Sequence, residues 1–404
     1  MKVLIVAYAC EPFRGSEPGV GWKWALNMVK DPDKDVYVLT RRNNKDVIDQ
    51  YWNSNICPSN LHFFYYDLPT PFVWAKHHGL PVNLYYAWWL YGAAKYALGI
   101  HRRIHFDIAH HLTFGVFRNA SALYKLCIPY VIGPVGGGEV TPSGLLPLYS
   151  KKECLKELLR STANKFAFAN PLLHKSFNKA SLILTKTNDT KNCLGKWASK
   201  TFVNLEIGID AVFRSNEPRN KNVFLFVGRF TYWKGVKLAL MSFKVFSKTH
   251  SNARMLMIGK GEMEKYIRQY ANENNLNIEI IPWIKQEELK KFYSTACAMV
   301  FPSLHDSSGN VVLEALSFGL PVVCLDCGGP ASILGESLTD TVVSTQKCSI
   351  DDVVCNIAKN MERLSNDAEF YSSIQERAYE RAESLLWSST VDKSYSFIKK
   401  QLLG

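Results

Sequence analysis

The residues best suited to chemistry lie in the second half of this 404-residue chain, in the stretch MVFPSLHDSSGNVVLEALSFGLPVV at 299–323. Asp306 and Glu314 are separated by seven residues, and Gly309 and Asn310 between them read as the entry to a helix. Backbone N–H groups at a helix entry, together with the positive end of the helix dipole, favour an anion. Flanked by two carboxylates, such an entry suits a ligand carrying both phosphates and hydroxyls, and a sugar nucleotide is a ligand of that kind. Any strand–loop–helix unit can carry a glycine and two acids, so the neighbouring motifs decide the reading. GRFTYWKG at 228–235 follows a strand and precedes a helix, which sets Arg229 and Lys234 at the carboxyl end of a sheet strand, where open α/β folds bind ligands. Two fixed cations there can hold a diphosphate and stabilise its charge as it leaves. GKGEMEKYI at 259–267 adds Gly259 and Gly261, which let the backbone pass close to a ligand.

The first half offers glycine loops and a histidine pair. GSEPGVG supplies Gly15, Gly19 and Gly21 around Glu17, and the dinucleotide fingerprint GxGxxG is missing, which weakens a nicotinamide reading. GPVGGGE closes on Glu139. DIAHHLTFG sets His110 and His111 at the end of a strand, with Arg118 behind them. Adjacent strand residues point to opposite faces, so at most one of the pair faces a given site and the two do not form a zinc pair. Cys324 and Cys327 form a lone CxxC with no second pair, and they read as residues near a strand end. The ten scattered cysteines suit thiols in a reducing cytoplasm.

These motifs need two parallel sheets to position them. Apolar runs at 3–9, 36–40, 62–66, 108–112, 130–133, 182–185 and 202–207 alternate with helical patterns, and the rhythm resumes at 223–227, 254–258, 278–281, 298–302 and from 321. That alternation predicts doubly wound α/β domains. The length also favours two domains over one core. Boundaries are expected at 1–212 and 222–387, joined by a polar linker at 215–222, with a C-terminal helix at about 388–404 returning to the first domain. The apolar run at 3–9 reads as a first strand, not as a signal peptide, and no run of 18 apolar residues suggests a membrane span. The net charge of +12 is concentrated in residues 1–180, with 21 Lys/Arg against 12 Asp/Glu, so an anionic partner is expected there. No nucleic-acid motif accompanies that charge, and nucleic acid is not expected as a partner. Residues 72–103 crowd Phe72, Trp74, Tyr85, Tyr86, Trp88, Trp89, Tyr91 and Tyr96 between Lys76, Lys95, Arg102 and Arg103, the composition of a helix lying on an anionic membrane surface or of an aromatic helix packed on its own sheet.

Taken together, VLIVAYACEPFRGSEPGVG, DIAHHLTFG, GPVGGGE, GRFTYWKG, GKGE and HDSSGNVVLEALSFGLPVV resemble the family 4 glycosyltransferases, group 1 enzymes of the GT-B fold. The resemblance implies two Rossmann-like domains facing each other across a cleft, and a retaining transfer without a metal from a UDP- or GDP-sugar bound mainly by the second domain. It implies that Glu314 holds the ribose, that Asp306 reaches the sugar hydroxyls, and that Arg229 and Lys234 take the diphosphate. Backbone N–H groups of Ser308, Gly309, Asn310 and Val311 would meet sugar hydroxyls and phosphate, Gly15 to Gly21 would face the donor phosphates, and His110 or His111 would line the reacting centre. The family's usual pair is two glutamates, and Asp306 stands here for the first. The acceptor expected is a lipid-linked or oligosaccharide chain of bacterial surface polysaccharide, met by a cytoplasmic protein peripheral to the inner membrane. The alternatives are a soluble transferase with a small acceptor and a non-catalytic sugar-nucleotide-binding subunit.

Overall fold

In the computed structural model, residues 1–215 and 217–403 are described; Asn216 of the expected linker and Gly404 of the expected C-terminal helix lie outside them. The chain divides into two compact units. The first comprises Met1–Gly138, Ser161–Ile207 and the segment from Trp387 onward, and the second comprises Glu139–Arg160 and Gly208–Leu386.

The sheet of the first unit contains β1 (Lys2–Val6), β2 (Asp35–Arg41), β3 (Leu61–Tyr66), β4 (Ile108–His111), β5 (Tyr130–Val135), β6 (Leu182–Thr185) and β7 (Thr201–Val203) in the order β3-β2-β1-β4-β5-β6-β7. Every pairing is parallel. A parallel sheet is covered on both faces, which is why its strands are continuous apolar runs instead of alternating ones. Val3, Leu4 and Ile5 are fully buried accordingly. The reversal of strand order between β1 and β4 opens the crevice at which such sheets bind ligands. The helix Ser16–Met28 and the C-terminal helix Trp387–Leu403 pack on each other, and Tyr395 and Trp24 are buried between them and the sheet.

Residues 72–103 prove to be mixed in role. They form the helices Thr70–His77 and Val82–Ile104, separated where Gly79 takes a φ of 103° before Pro81. Tyr85, Tyr86 and Trp89 are fully buried and form the centre of the first unit's core, whereas Phe72, Trp74, Trp88, Tyr91 and Tyr96 stand exposed. Each large apolar side chain buried there contributes roughly 1.5–3 kcal/mol by removal from water. No helix among the described residues is long and apolar enough to cross a membrane.

The second unit repeats the plan with β8 (Asn220–Val227), β9 (Arg254–Ile258), β10 (Ile278–Ile281), β11 (Ala296–Val300), β12 (Val322–Leu325) and β13 (Val342–Val343), ordered β10-β9-β8-β11-β12-β13 and parallel throughout. Its order reverses between β8 and β11. The two-residue strand β13 is too short to leave a sequence pattern. Residues 139–160, expected in the first domain, pack instead on the second unit. Tyr149 meets the ring of Tyr232 edge-on at 5.0 Å, and Lys237 Nζ donates to the carbonyl of Leu148. Tyr149 is buried by that contact, so the segment follows its apolar side chains and not its place in the chain.

Candidate functional site

Three adjacent strands of the second sheet deliver the candidate residues from their carboxyl ends. Gly259 follows β9, Arg229 and Lys234 follow β8, and the loop holding Asp306 follows β11, on the two sides of the reversal in strand order. The two central loops are bonded to each other. Leu304 N donates to the carbonyl of Trp233 at 2.8 Å, and Ser303 Oγ donates to the same carbonyl at 3.1 Å. Gly235 turns the first of them into the helix Val236–Ser247 at a φ of 74°, and a β-carbon there would stand 1.8 Å from the carbonyl oxygen of Pro302. Only glycine permits that approach. Across the joined loops, Lys234 Nζ forms a short ion pair with Asp306 Oδ2. Arg229 projects into solvent from the same turn.

The loop of Asp306 is held from behind. Its carbonyl accepts from Gly329 N at 2.6 Å, and its Oδ1 lies 3.5 Å from Ser308 N. Gly309, at a φ of 70°, caps the helix Asn310–Ser317, and the Asn310 side-chain oxygen is buried without a partner among the described residues. Val311 and Glu314 are part-exposed on this helix. Burial raises the Glu314 carboxyl, an effect opposed by the hydroxyl of Tyr293, which donates to Oε2 at 3.3 Å. Gly259 approaches the Gly228 carbonyl so closely that a β-carbon would lie 2.0 Å from that oxygen, so a glycine there lets the β8 and β9 loops pack against each other.

Three residues of this cluster carry no motif in the sequence. Glu157, from the helix Lys151–Ala169, accepts from His305 Nε2 and from the Tyr232 hydroxyl, each at 3.0 Å, and pairs with Arg160 at 3.2 Å. Burial pushes its carboxyl up, but the bond and charge of His305, with Arg160 and Tyr232, outweigh this and bring it down to about 2. His305 stacks on Trp233 at 5.9 Å, so Glu157 fixes the residue immediately before Asp306. Tyr293 is the third. The only signal for Glu157 was its place in an amphipathic helix, which says nothing about which unit that helix covers.

In the first unit the two histidines separate clearly. His110 is fully buried, with Nδ1 2.8 Å from the Tyr395 hydroxyl, Nε2 2.6 Å from the Gly133 carbonyl, and the edge of Trp24 beside it. Both ring nitrogens are occupied by the fold, so His110 is a packing residue in this structure and not one presented to substrate. His111 points to the other face, 2.6 Å from the Tyr86 hydroxyl through Nε2. Burial lowers both to about 4, so both are neutral at pH 7. The expected glycine loop is also corrected. Gly15 precedes the helix Ser16–Met28, but Gly19 lies inside that helix, because Pro18 in a first turn is tolerated and does not stop it. Glu17 accepts from Phe114 N at 2.8 Å and pairs with the buried Lys186.

Residues 210–381 match the family model of the glycosyl transferases group 1. The match falls within the second unit. A 134-residue stretch is 34% identical to an uncharacterized glycosyltransferase of Methanocaldococcus jannaschii, covering 31% of this chain and 33% of the relative. Another, of 183 residues, is 25% identical to the capsular polysaccharide biosynthesis glycosyltransferase CapM of Staphylococcus aureus, covering 43% and 46%. The chain thus spans under half the length of these curated relatives. Among solved structures, Anabaena HepE in complex with UDP aligns over 100% of both chains with a TM-score of 0.61 at 13% identity, a likeness of fold. The two parallel-sheet units have the GT-B fold.

Proposed function

We propose that the protein is a retaining glycosyltransferase that moves a sugar from a nucleotide-diphosphate sugar to a saccharide acceptor, without a metal ion. The observation that carries this reading is the Lys234–Asp306 pair at the reversal of strand order in the second sheet, beside the helix entry at Gly309. Cleavage of the anomeric bond leaves negative charge on the diphosphate and oxocarbenium character on the sugar. Arg229, Lys234 and the N–H groups from Ser308 to Val311 stabilise the first. The leaving phosphate oxygen takes the acceptor's proton, so no protein nucleophile is needed. Asp306 accepts from hydroxyls of the transferred sugar, and Glu314 from those of the ribose, where it is held by Tyr293. In this reading His111 is assigned to the reacting centre in place of His110, both of whose ring nitrogens are bonded within the fold. The name of the CapM relative and the UDP bound by HepE support a nucleotide-sugar donor and a surface-polysaccharide acceptor.

The acceptor is lipid-linked in this reading, and the exposed Phe72, Trp74, Trp88, Tyr91 and Tyr96 make a peripheral contact with an anionic membrane. Calorimetry against UDP- and GDP-sugars, followed by turnover with the tightest donor, tests the proposal. Transfer lost in Glu314→Ala with folding intact is expected; binding without any turnover by the wild type would leave only a sugar-nucleotide-binding subunit.

A further inference from the structure

A second cationic cluster lies at the carboxyl edge of the first sheet, one ring removed from His111, whose partner Tyr86 packs edge-on against Tyr8 at 4.9 Å. Arg41 ends β2, Asp67 follows β3, Tyr8 lies two residues past β1, and Lys76 and Tyr85 come from the two helices that follow. The charges do not balance. Asp67 spends Oδ1 on the Tyr85 hydroxyl and the Leu68 N–H, and Oδ2 on Arg41 Nη2 at 3.4 Å. Among the described residues, Lys76 Nζ has only the neutral Tyr8 hydroxyl, at 3.1 Å, and the faces of the Tyr8 and Tyr85 rings. Arg41 is 8% exposed, sits over the same two rings, and its buried Nε donates to nothing among the described residues. Two cations therefore meet one carboxylate, with a buried guanidinium N–H unspent. Burial, then the charge of Arg41, lowers the Lys76 ammonium from its ordinary value, and Asp67 opposes this only in part. A structural Arg41–Asp67 pair would need neither a second cation nor an unused donor, since an unmet buried donor costs about 1–3 kcal/mol.

We infer that Tyr8, Arg41 and Lys76 form an oxyanion subsite of the phosphate class, which in the transferase reading holds an anionic group of the acceptor. The guanidinium supplies a planar donor, the ammonium a point charge and the phenol a third donor. An acceptor carrying phosphate would be oriented by this subsite independently of the donor. The inference rests on the transferase reading only in naming the ligand an acceptor; the anion site itself is read from the first unit alone.

The test is calorimetric titration of the full chain with inorganic phosphate, in wild type, Lys76→Gln and Lys234→Ala, with UDP titrated into the same samples and thermal unfolding confirming the fold. Lys76 is part-exposed and lies outside the buried core, so its replacement leaves that core intact. Phosphate binding that persists in Lys234→Ala and weakens roughly tenfold or more in Lys76→Gln is expected, the loss of one charge-assisted contact. A parallel arm sediments the protein with phosphatidylglycerol vesicles. Lys76-dependent sedimentation without free-phosphate binding identifies a lipid headgroup as the anion and supports the subsite. Phosphate and vesicle binding both indifferent to Lys76 overturn it. Absence of UDP binding, by contrast, sinks the donor reading and leaves this one standing.

Discussion

Lys234 and Asp306 are paired, so replacing one or the other should move nucleotide binding in opposite directions. The two side chains are 20% and 11% exposed and lie at short range. At about 4 Å and an effective dielectric of about 20, two unit charges interact by about 4 kcal/mol before desolvation is charged against them. The net value of a part-exposed pair is far smaller, about 1 kcal/mol. A diphosphate must compete with Asp306 for Lys234. In Asp306→Asn that competition is gone, and UDP should bind up to about fivefold tighter, the equivalent of about 1 kcal/mol. In Lys234→Met the phosphate loses a charge-assisted contact of about 2–3 kcal/mol and faces an unneutralised Asp306, so affinity should fall about 30- to 150-fold. Transfer should drop in both, because the proposed mechanism also gives Asp306 the hydroxyls of the transferred sugar. Isothermal titration with UDP, which lacks the sugar, reads the phosphate term alone. Weaker UDP binding in both variants, or no change in either, would refute the reasoning that the pair is a preformed phosphate site held shut by its own carboxylate.

Two further outcomes concern stability. Gly235→Ala introduces a β-carbon 1.8 Å from the Pro302 carbonyl at a φ of 74°, and scanning calorimetry should show a loss of roughly 2–4 kcal/mol in the second unit; an unchanged melting temperature would mean that the loops do not pack as described. His110 and His111 are held neutral by burial, with pKa values lowered to about 4, so the unfolded chain takes up protons below about 6.5 that the folded chain refuses. Stability should therefore fall as pH drops from about 6.5 toward 4, by up to about 3 kcal/mol for each histidine. His110→Gln, which keeps hydrogen-bonding atoms but cannot titrate, should flatten the melting-temperature profile over that window, and an equally steep profile would place the acid sensitivity elsewhere.

Much of this was legible because parallel strands announce themselves. Buried on both faces, β1, β2, β9 and β11 appear as uninterrupted apolar runs, and the loops after them are where glycines and charges collect. GRFTYWKG and HDSSGNVVLEAL could therefore be read as neighbours at strand ends before their contact was known. What stayed hidden depended on long-range packing. Glu157 belongs beside His305 because Tyr149 and Leu148 settle on the second unit, and no local pattern encodes that choice. Arg41 and Lys76 are 35 positions apart and meet only when β1, β2 and the helix Thr70–His77 are assembled. The alternation rule did separate the two histidines, but which face holds Tyr395 and which holds Tyr86 required the fold.

The C-terminal helix Trp387–Leu403 has a consequence in time. It belongs to the first unit, where Tyr395 meets His110 and Ser394 bonds Asn204. Once Ile207 has been made, about 180 further residues must be added before that helix exists. At about 5–20 residues per second, a ribosome takes roughly 10–35 seconds to supply them. Throughout that interval the nascent first sheet has Trp24 and His110 without their cover, an apolar furrow open to water and to chaperones. A helix made about 180 residues after Ile207 is thus the one that covers the sheet laid down before it.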